Sequence, residues 1–380
     1  MKRHVLITGG AGFIGSHLAD DLLSAGYRVR VLDNLSEQVH GDLATVGGRP
    51  PYLADDVELV VGDVRDPDAV ERAVRDVDAV FHLAAVVGVG QSMYEVAHYT
   101  STNNLGTAVL AEALIRRQQA GQPIERWVVA SSMSVYGEGL YRDPEGRAVH
   151  DARRSRAQLQ AHRWEPTGPG GERLEPVATA EEKTPDLASV YALSKFDQER
   201  MSLLLGSAYG IPTVALRFFN AYGTRQALSN PYTGVLAIFA ARYLNGNPPL
   251  IFEDGHQRRD FVHVSDVARA CRLALEAPDA PGHAFNVGSG RSYTVHEVAA
   301  ALASVLGREA IAPEVTGRYR VGDIRHCFAD ISLARRTLGY EPRMALEDGL
   351  AELAGWLEGQ VAQDRVGEMS TELAERGLTV

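Results

Sequence analysis

The amino terminus of this 380-residue chain places a strand, a glycine-rich turn and a helix in direct succession. The apolar run of residues 3–8 predicts a buried strand, and the periodicity of residues 16–23 predicts a helix. Between them, Gly9, Gly12 and Gly15 permit a tight turn, close approach of the backbone to a pyrophosphate and close packing of helix on sheet. The free N–H groups of the helix N-terminus would bind the phosphates. This order of elements predicts a dinucleotide-binding fold.

An acidic residue after the second predicted strand indicates which dinucleotide is bound. Residues 28–32 predict that strand, and Asp33 follows it at about 20 residues from the glycine turn. A carboxylate at this place binds a ribose diol and repels a 2′-phosphate. NAD is therefore favoured over NADP as the cofactor.

Strand and helix patterns alternate through the rest of the first half. Further strands are predicted at residues 57–61, 79–83, 126–131 and 213–218, and helices at residues 67–77, 108–120 and 191–209. Such alternation predicts an α/β fold with a doubly wound, parallel, Rossmann-like sheet. Ligands bind at the carboxyl ends of the strands of such a sheet.

The second half is more broken and reads as a smaller C-terminal substrate lobe. It carries prolines at positions 231, 248, 249, 278 and 281. We predict an NAD-binding domain at residues 1–215, a mainly substrate-binding lobe at 216–365 with some return segments to the first domain, and a C-terminal tail at 366–380.

Tyr191 and Lys195 stand four residues apart in a predicted helix and so lie on one face of it. A phenol titrates near pH ~10 in water. A neighbouring ammonium favours the phenolate and can lower that pKa by a few units. The pair therefore suits proton transfer to and from a substrate hydroxyl. Solvated helix faces often have the same spacing, so the pair gains weight only from the motifs upstream.

Together these features make the chain similar to the extended short-chain dehydrogenases/reductases, in particular the nucleotide-sugar epimerases and dehydratases, over about residues 2–357. The glycine spacing has the Gly-x-x-Gly-x-x-Gly form of that family, and Asn103 falls in its Asn-x-x-Gly-Thr helix. Further matching segments are residues 62–66, 82–85, 131–137, 217–223, 259–266, 285–288 and 320–323.

The resemblance implies a role for each residue of the site. The catalytic group would be Ser132, Tyr191 and Lys195. The NAD site would be formed by Gly9, Gly12, Phe13, Ile14, Gly15, Asp33, Asn34, Asp63, Val64, Leu83, Ala84, Ala85, Asn103, Ser131, Tyr191, Lys195 and Phe218. The substrate site would be formed by Ser132, Met133, Ser134, Asn220, Arg259, Arg320, Asp323 and Cys327.

Within the implied substrate site, individual tasks differ. Asn220, Arg259 and Arg320 would bind the diphosphate, since a guanidinium binds phosphate through paired donors. Asp323 would bind the nucleotide ribose. Cys327 would form a wall of the sugar pocket, and the alternative is a thiol packed in the core.

The two residues after Ser132 bear on the reaction. Relatives that eliminate water carry an acid and a base there, whereas this chain has Met133 and Ser134. Neither can protonate a leaving hydroxyl near neutral pH. Hydride transfer alone then remains, which predicts a 4-epimerase acting on a nucleoside-diphosphate sugar through a transient 4-keto intermediate. The alternatives are a dehydratase or 4-ketoreductase of the same fold, or a non-catalytic NAD-binding regulatory protein.

The nucleotide of the substrate is less defined by the sequence. Residues 226–234 look like the corresponding stretch of rhamnose 4-epimerases, which suggests a dTDP-sugar. A UDP-sugar stays open.

The segment between Gly137 and Tyr191 is longer than the family usually has. The excess, roughly residues 140–183, is rich in Arg, Glu, Pro and Gly. A loop of this length without clear structure is either functional or disordered, so it is a lid over the substrate or a surface flap. His150 and His162 alone cannot complete a four-ligand site, and we expect no metal.

Composition limits the location and the partners. The net charge of −11 gives no basic footprint for nucleic acid. Cys271 and Cys327 form no disulfide framework and fit a reducing compartment. Neither a secretory leader nor an apolar run of ~18 residues is visible, so we expect a cytoplasmic protein with no membrane partner.

The family also implies a homodimer in which the helices near residues 94–120 and 191–209 of two subunits pair. Apolar residues at helical spacing on these helices fit either that interface or the monomer core. They are Val109, Ala113, Leu114, Met201, Leu204 and Leu205.

Overall fold

The computed structural model describes residues 3–43, 48–227, 234–320, 322–358 and 366–379. Strands and helices alternate in the first part of the chain. Its strands are β1 (His4–Thr8), β2 (Arg28–Asp33), β3 (Glu58–Val61), β4 (Ala79–His82) and β5 (Arg126–Ser132). Its helices are α1 (Phe13–Ser24), α2 (Glu37–His40), α3 (Pro67–Val74), α4 (Val89–Ser92), α5 (Val96–Tyr99) and α6 (Gly106–Gln119), with a π-helical turn at Thr100–Leu105.

A short 3₁₀ helix, Met133–Tyr136, leads from β5 into the long segment that precedes the helix carrying Tyr191 and Lys195. That segment contains β6 (Leu140–Arg142), β7 (Ala148–Val149), α7 (Arg156–Gln160) and β8 (Glu175–Val177). The chain continues with α8 (Val190–Tyr209) and β9 (Thr213–Phe218).

The remaining elements are short strands interspersed with helices. The strands are β10 (Asn220–Tyr222), β11 (Leu250–Ile251), β12 (Arg258–Arg259), β13 (Phe261–His263), β14 (Ala284–Val287), β15 (Tyr293–Thr294), β16 (Glu314–Val315) and β17 (His326–Cys327). The helices are α9 (Val235–Leu244), α10 (Val264–Glu276), α11 (Val295–Val305), α12 (Ser332–Leu338), α13 (Leu346–Leu357) and α14 (Val366–Glu375).

Seven parallel strands form the central sheet, in the order β14-β9-β5-β4-β1-β2-β3. Thr8 pairs with Leu32 on one side and with His82 on the other, and Ser132 pairs with Phe218. The carboxyl ends of these five strands therefore share one edge. The predicted doubly wound parallel fold is confirmed.

Alternating side chains of the strands pack on the two faces of the sheet. Val5, Ile7 and Phe81 belong to the core on one face, whereas Leu6 and Val80 belong to the core on the other. Both faces are buried, which explains why these strands are continuous apolar runs. β14 and α10, which packs on α1, return to this layer from the second half of the chain.

The second half also has a core of its own. Buried apolar side chains of α9, α11 and α13 form it, including Phe239, Leu302 and Leu350.

The segment at about 140–183 is folded, contrary to the expectation of a loop without clear structure. β6 pairs antiparallel with β7 and with β8, and Tyr141, Ala152 and Leu174 form a small core beneath this sheet. Thr179 then pairs with Ala329 in a parallel bridge. The insertion is thus a small structured unit attached to the second half of the chain.

Candidate active site

The glycine turn after β1 is closely packed. Gly9 has φ +68°, and a Cβ there would lie 2.8 Å from the backbone of Ala84. A Cβ at Gly15 would lie 2.4 Å from the carbonyl oxygen of Gly9. At the start of α1, Gly12 leaves the first turn without a side-chain cap in the described chain. The turn is therefore a backbone cradle that fits a pyrophosphate.

Two carboxylates stand at the ends of β2 and β3. Asp33 accepts hydrogen bonds from the N–H groups of Ala11 (3.0 Å) and Leu35 (2.9 Å). Asn34 donates to Asp63 at 3.3 Å. Hydrogen bonds from Arg65 lower the pKa of Asp63 to about 2, so it is ionised near neutral pH. The placement of these carboxylates fits the adenosine end of NAD.

The other residues predicted to contact NAD lie along the same edge. Val64 follows β3 and packs closely on Gly106. Asn103 accepts a hydrogen bond from the Val86 N–H (2.8 Å) and donates to the Ser194 hydroxyl (2.9 Å), which ties the loop after β4 to α8. The remaining residues of this set stand at the start of α1 and at the ends of β4 and β9: Phe13, Ile14, Leu83, Ala84, Ala85 and Phe218.

Ser132 and Tyr191 meet where β5 ends and α8 begins. The Ser132 oxygen accepts hydrogen bonds from the Ser134 N–H (3.2 Å) and hydroxyl (2.9 Å). Loss of water contact raises the pKa of the Tyr191 phenol, and a hydrogen bond with Ser132 opposes that rise. The expected lowering of this pKa is therefore wrong, because desolvation outweighs the polar neighbours.

Lys195 is buried one turn further along α8. Its Nζ donates to Oε1 of Gln198 at 2.8 Å, and Nε2 of Gln198 donates to the Thr107 hydroxyl at 2.8 Å. Burial lowers the pKa of Lys195 to about 7, although the carboxylate of Glu199 acts in the opposite direction.

The polar contacts of Lys195 continue to the strand that precedes the glycine turn. The His82 ring lies between two hydroxyls, with Nδ1 2.7 Å from Thr8 and Nε2 2.9 Å from Thr107. Burial lowers the pKa of His82 to about 3, so the ring is neutral near pH 7. Sequence reasoning missed Thr107 and Gln198. A glutamine three residues after Lys195 on the same helix face was the available indication.

A buried cluster of Ser131, Tyr136, Glu199 and Arg217 fixes α8 to the sheet; we call it the helix anchor. Arg217 donates to both carboxylate oxygens of Glu199, at 2.9 and 2.7 Å. Arg217 also donates to the Tyr136 hydroxyl (2.8 Å). Ser131, which the sequence assigned to NAD, donates its hydroxyl to Glu199 at 2.6 Å. The Ser131 side chain thus holds the catalytic helix in place.

Three of the predicted substrate residues converge. Arg259 donates to the carbonyl oxygens of Ile324 (2.5 Å) and Arg325 (2.9 Å), the two residues that follow Asp323. Nε of Arg320 lies 3.3 Å from the Asp323 carboxylate. Arg259 therefore contacts the same short segment that carries Arg320 and Asp323.

The remaining predicted substrate residues differ in burial and in their hydrogen-bond partners. Asn220 has a buried Oδ1 with no hydrogen-bond partner in the described chain, so an acceptor is available there. Met133 packs in the main core. Cys327 is 1% exposed, and its thiol lies 3.9 Å from the Thr179 hydroxyl. Burial raises the pKa of that thiol to about 12. This environment favours the packed-core alternative for Cys327 over a pocket wall.

Three further predictions concern the stretch 226–234, metal binding and membrane spans. Residues 228–233 of the stretch 226–234 lie outside the described residues. Across the described ranges, no group of three His, Cys, Asp or Glu side chains is arranged to hold a metal ion. Within the same ranges, no helix has the length and apolar character needed to cross a membrane.

A doubly wound sheet with a glycine turn after β1 and a Ser–Tyr–Lys group at its carboxyl edge defines an NAD-binding short-chain dehydrogenase/reductase. The model of the NAD dependent epimerase/dehydratase family matches residues 5–157 and 165–288. The chain belongs to this family. Residues 158–164, which the family model leaves out, lie in the insertion.

Individual relatives agree. The chain is 36% identical over 357 residues to a dTDP-L-rhamnose 4-epimerase of Burkholderia thailandensis, covering 93% of this chain and 95% of that protein. A UDP-glucose 4-epimerase of Thermotoga maritima with UDP-glucose superposes with a TM-score of 0.74 at 30% identity, covering 93% of this chain and 98% of the other. A UDP-glucose 4-epimerase of Thermus thermophilus in complex with NAD gives a TM-score of 0.72 at 32% identity, covering 94% and 100%. The expectations of NAD as the cofactor and of C4 epimerisation of a nucleoside-diphosphate sugar are confirmed.

Proposed function

We propose that Tyr191 is the proton acceptor and donor at the sugar 4-hydroxyl, with Ser132 bonded to the same oxygen. The observation that carries this assignment is the meeting of Ser132 and Tyr191 at the carboxyl edge, beside the buried Lys195. When bound, NAD supplies the reversible acceptance of the hydrogen at C4. The hydrogen bond with Ser132 opposes the rise in the pKa of Tyr191 that burial causes, and the Ser132 hydroxyl can pass a proton between the phenol and the sugar oxygen.

Lys195 has a positional and an electrostatic task in this proposal. Gln198 holds its ammonium in a dry site, where a positive charge acts strongly on a neighbouring phenol. Reorientation of the 4-keto sugar in the site would then let Tyr191 return its proton to O4 when C4 regains its hydride on the other face. The side chains of Met133 and Ser134 carry no acid, so the neighbourhood of Ser132 supports epimerisation over dehydration.

The diphosphate and the nucleotide would lie on the second half of the chain. Arg259 and Arg320 supply cationic donors for the phosphate oxygens, and the amide Nδ2 of Asn220 would donate to the same group. We assign the nucleotide ribose to Asp323. This arrangement corresponds to an NAD-binding domain at 1–215, a mainly substrate-binding lobe at 216–365 and a tail at 366–380.

A dTDP-hexose is the proposed substrate. The support is the 36% identity to a relative named dTDP-L-rhamnose 4-epimerase, against 30–32% for the UDP-glucose 4-epimerases named above. A UDP-hexose is the alternative, because those structures cover nearly the whole chain.

Incubation with nucleotide sugars tests the function. Purified protein without added cofactor should interconvert the C4 epimers of a dTDP-hexose, followed by NMR, and more slowly those of a UDP-hexose. An absolute requirement for added NADPH, or a dehydrated product, would contradict the proposal.

We also propose a homodimer in which α8 and the helices near residues 94–120 of two subunits pair. Apolar side chains stay exposed on these helices, with Leu204 68% and Leu193 53% exposed. Of the residues predicted for this interface, Ala113 and Leu114 are buried in the monomer core and cannot contribute to it. A monomeric mass by light scattering at micromolar concentration would exclude the dimer. A reducing, cytoplasmic location is proposed because Cys271 and Cys327 are both unpaired.

A further inference from the structure

The insertion is joined to the substrate-binding half by a buried group of charged side chains. We call it the insertion cluster: Glu138, Arg154, Glu165, Glu253, Asp254, Arg325 and His326. Arg154 and Glu165 belong to the insertion, and the four last-named residues belong to the second half of the chain. Such a group costs free energy to desolvate unless its members are well paired, so its contacts define how the insertion is held.

The Arg154 side chain is 4% exposed and bonds to three separate segments of the chain. Its guanidinium donates to Glu253 at 2.6 Å, to Glu138 at 3.2 Å and to the carbonyl oxygen of Asp323 at 2.9 Å. The last contact is with the backbone of the residue assigned to the nucleotide ribose. An insertion side chain therefore fixes the peptide that carries Asp323.

Glu165 holds the residues that follow Asp323. Its Oε1 accepts from Arg325 at 2.9 and 2.6 Å, and its Oε2 lies 2.9 Å from Nε2 of His326. Trp164 packs edge-on against Tyr319, with 6.4 Å between ring centroids. The insertion thus contacts residues on both sides of Arg320 and Asp323. We call Tyr319, Arg320 and residues 322–326 the substrate segment.

Glu253 provides an independent observation. It has φ +55°, a backbone conformation that costs free energy for any residue other than glycine. Its carboxylate is nevertheless shared between Arg154 (2.6 Å) and Arg325 (3.0 Å), and its N–H donates to the Arg318 carbonyl oxygen at 2.7 Å. The strained conformation is thus tied to a link between the insertion and the substrate segment.

We propose that the insertion is a permanent part of the substrate site, in which Arg154 and Glu165 are positioning residues that hold the substrate segment in the conformation that binds the nucleoside diphosphate. The proposal rests on the proposed assignment of Arg320 and Asp323 to the substrate. It places the insertion outside the chemistry at C4, because its contacts reach the nucleotide end and leave Tyr191 and Lys195 untouched.

Arg154→Leu tests this role. On the NAD-loaded protein, we expect the Kd of dTDP, measured by calorimetry, to rise at least ~10-fold. KM for the nucleotide sugar should rise alike, whereas kcat and retained NAD should stay within about twofold. Arg154→Lys, which keeps the charge, should recover part of the affinity. Because the Leu variant removes one of the two arginines that share the Glu253 carboxylate, Arg154→Leu with Glu253→Gly removes that carboxylate and relieves the positive φ, and it should show the same loss of affinity in a folded protein.

Arg153→Leu is the matched control, since Arg153 is the neighbouring arginine, is 74% exposed and, among the described residues, pairs only with Asp186. Its Kd for dTDP should change less than twofold. An unchanged Kd in the folded Arg154 variants, an equal loss in the control, or a fall in kcat at constant Kd would overturn the inference. Because dTDP binding needs no turnover, a protein that binds dTDP through Arg154 yet epimerises no hexose would refute the proposed function alone.

Discussion

The helix anchor and the insertion cluster are both built around buried arginines, and they differ in charge balance and in origin. The helix anchor opposes Arg217 to Glu199, one cation to one anion, with both carboxylate oxygens bonded. The insertion cluster opposes Arg154 and Arg325 to four carboxylates. The first lies within the sheet and its catalytic helix, whereas the second joins segments that are far apart in sequence.

The difference teaches how each cluster can serve the reaction. A balanced, fully bonded pair is rigid and suits a group that must keep Tyr191 and Lys195 in register with β5. An acid-rich cluster depends on its two arginines for charge balance, so changes in either arginine or in protonation should alter it. We therefore expect the helix anchor and its neighbours to control kcat and stability, and the insertion cluster to control substrate affinity.

Tyr191→Phe should give the largest effect on the catalytic side of this comparison. The substitution removes the phenol oxygen and leaves the edge-on packing against Tyr99 nearly unchanged. We expect kcat to fall by at least ~10²-fold, within the usual range for a general base. Thermal unfolding and the Kd of dTDP should stay as in the parent. Near-normal turnover would remove Tyr191 from the mechanism.

Glu199→Gln should destabilise the fold more than any single change in the insertion cluster. It leaves the buried Arg217 without its counter-charge, and breaking a buried pair in this way typically costs about 3–5 kcal/mol. Urea unfolding measures the loss. The double variant Glu199→Leu, Arg217→Met should be more stable than Glu199→Gln alone, because no unpaired charge is left. A loss below about 1 kcal/mol in the single variant would show that the anchor does not stabilise α8.

Gln198→Leu should produce a smaller loss, confined to catalysis. It removes the oxygen 2.8 Å from Nζ of Lys195, so we expect kcat to fall about tenfold, or about 1.4 kcal/mol, with NAD retained. Gln198→Glu is the informative partner, since a carboxylate beside the ammonium raises the pKa of Lys195 above its present value of about 7. The pH profile of kcat should then shift between the two variants. Identical profiles would mean that Gln198 does not act through Lys195.

The same contrast explains what the sequence could predict. Gly9, Asp33, Ser132 and Tyr191 sit in short motifs whose spacing is fixed by one strand, turn or helix. Their meeting at one edge follows from the parallel sheet.

The insertion cluster could not be predicted in this way. Arg154 lies 99 residues before Glu253, and Glu253 lies 72 residues before Arg325. No periodicity in the sequence links positions so far apart. Composition indicated a charged loop, and only the fold pairs those charges. The pKa of Tyr191 is likewise raised by loss of water contact in the folded chain. The four-residue spacing between Tyr191 and Lys195 gives no information about that loss.

The smallest predicted effect concerns the pH dependence of the insertion. Glu165 is 39% exposed; burial acts to raise its pKa, but hydrogen bonds with His326 and Arg325 outweigh this and lower it to about 2, from 4.5. Because the folded-state pKa is the lower one, the stabilisation is complete above pH 4.5 and is lost as pH falls towards 2. After allowance for solvent screening of an exposed carboxylate, we expect Glu165→Gln to cost about 1 kcal/mol at pH 7.

Amide hydrogen exchange in β6 and β8, corrected for intrinsic rates, measures this difference locally. The gap in protection between the parent and Glu165→Gln should shrink steadily below pH 4.5. Glu145→Gln is the matched control on the same insertion, because Glu145 is 63% exposed and its one ion pair within the described part of the chain is with Arg147; its gap should be near zero at every pH. A gap for Glu165→Gln that stays constant down to pH 2.5 would mean that the carboxylate charge does not hold the insertion on the substrate segment. In that case the contacts of Arg154 and Trp164 would have to hold it, and the charge of Glu165 would have no part in substrate affinity.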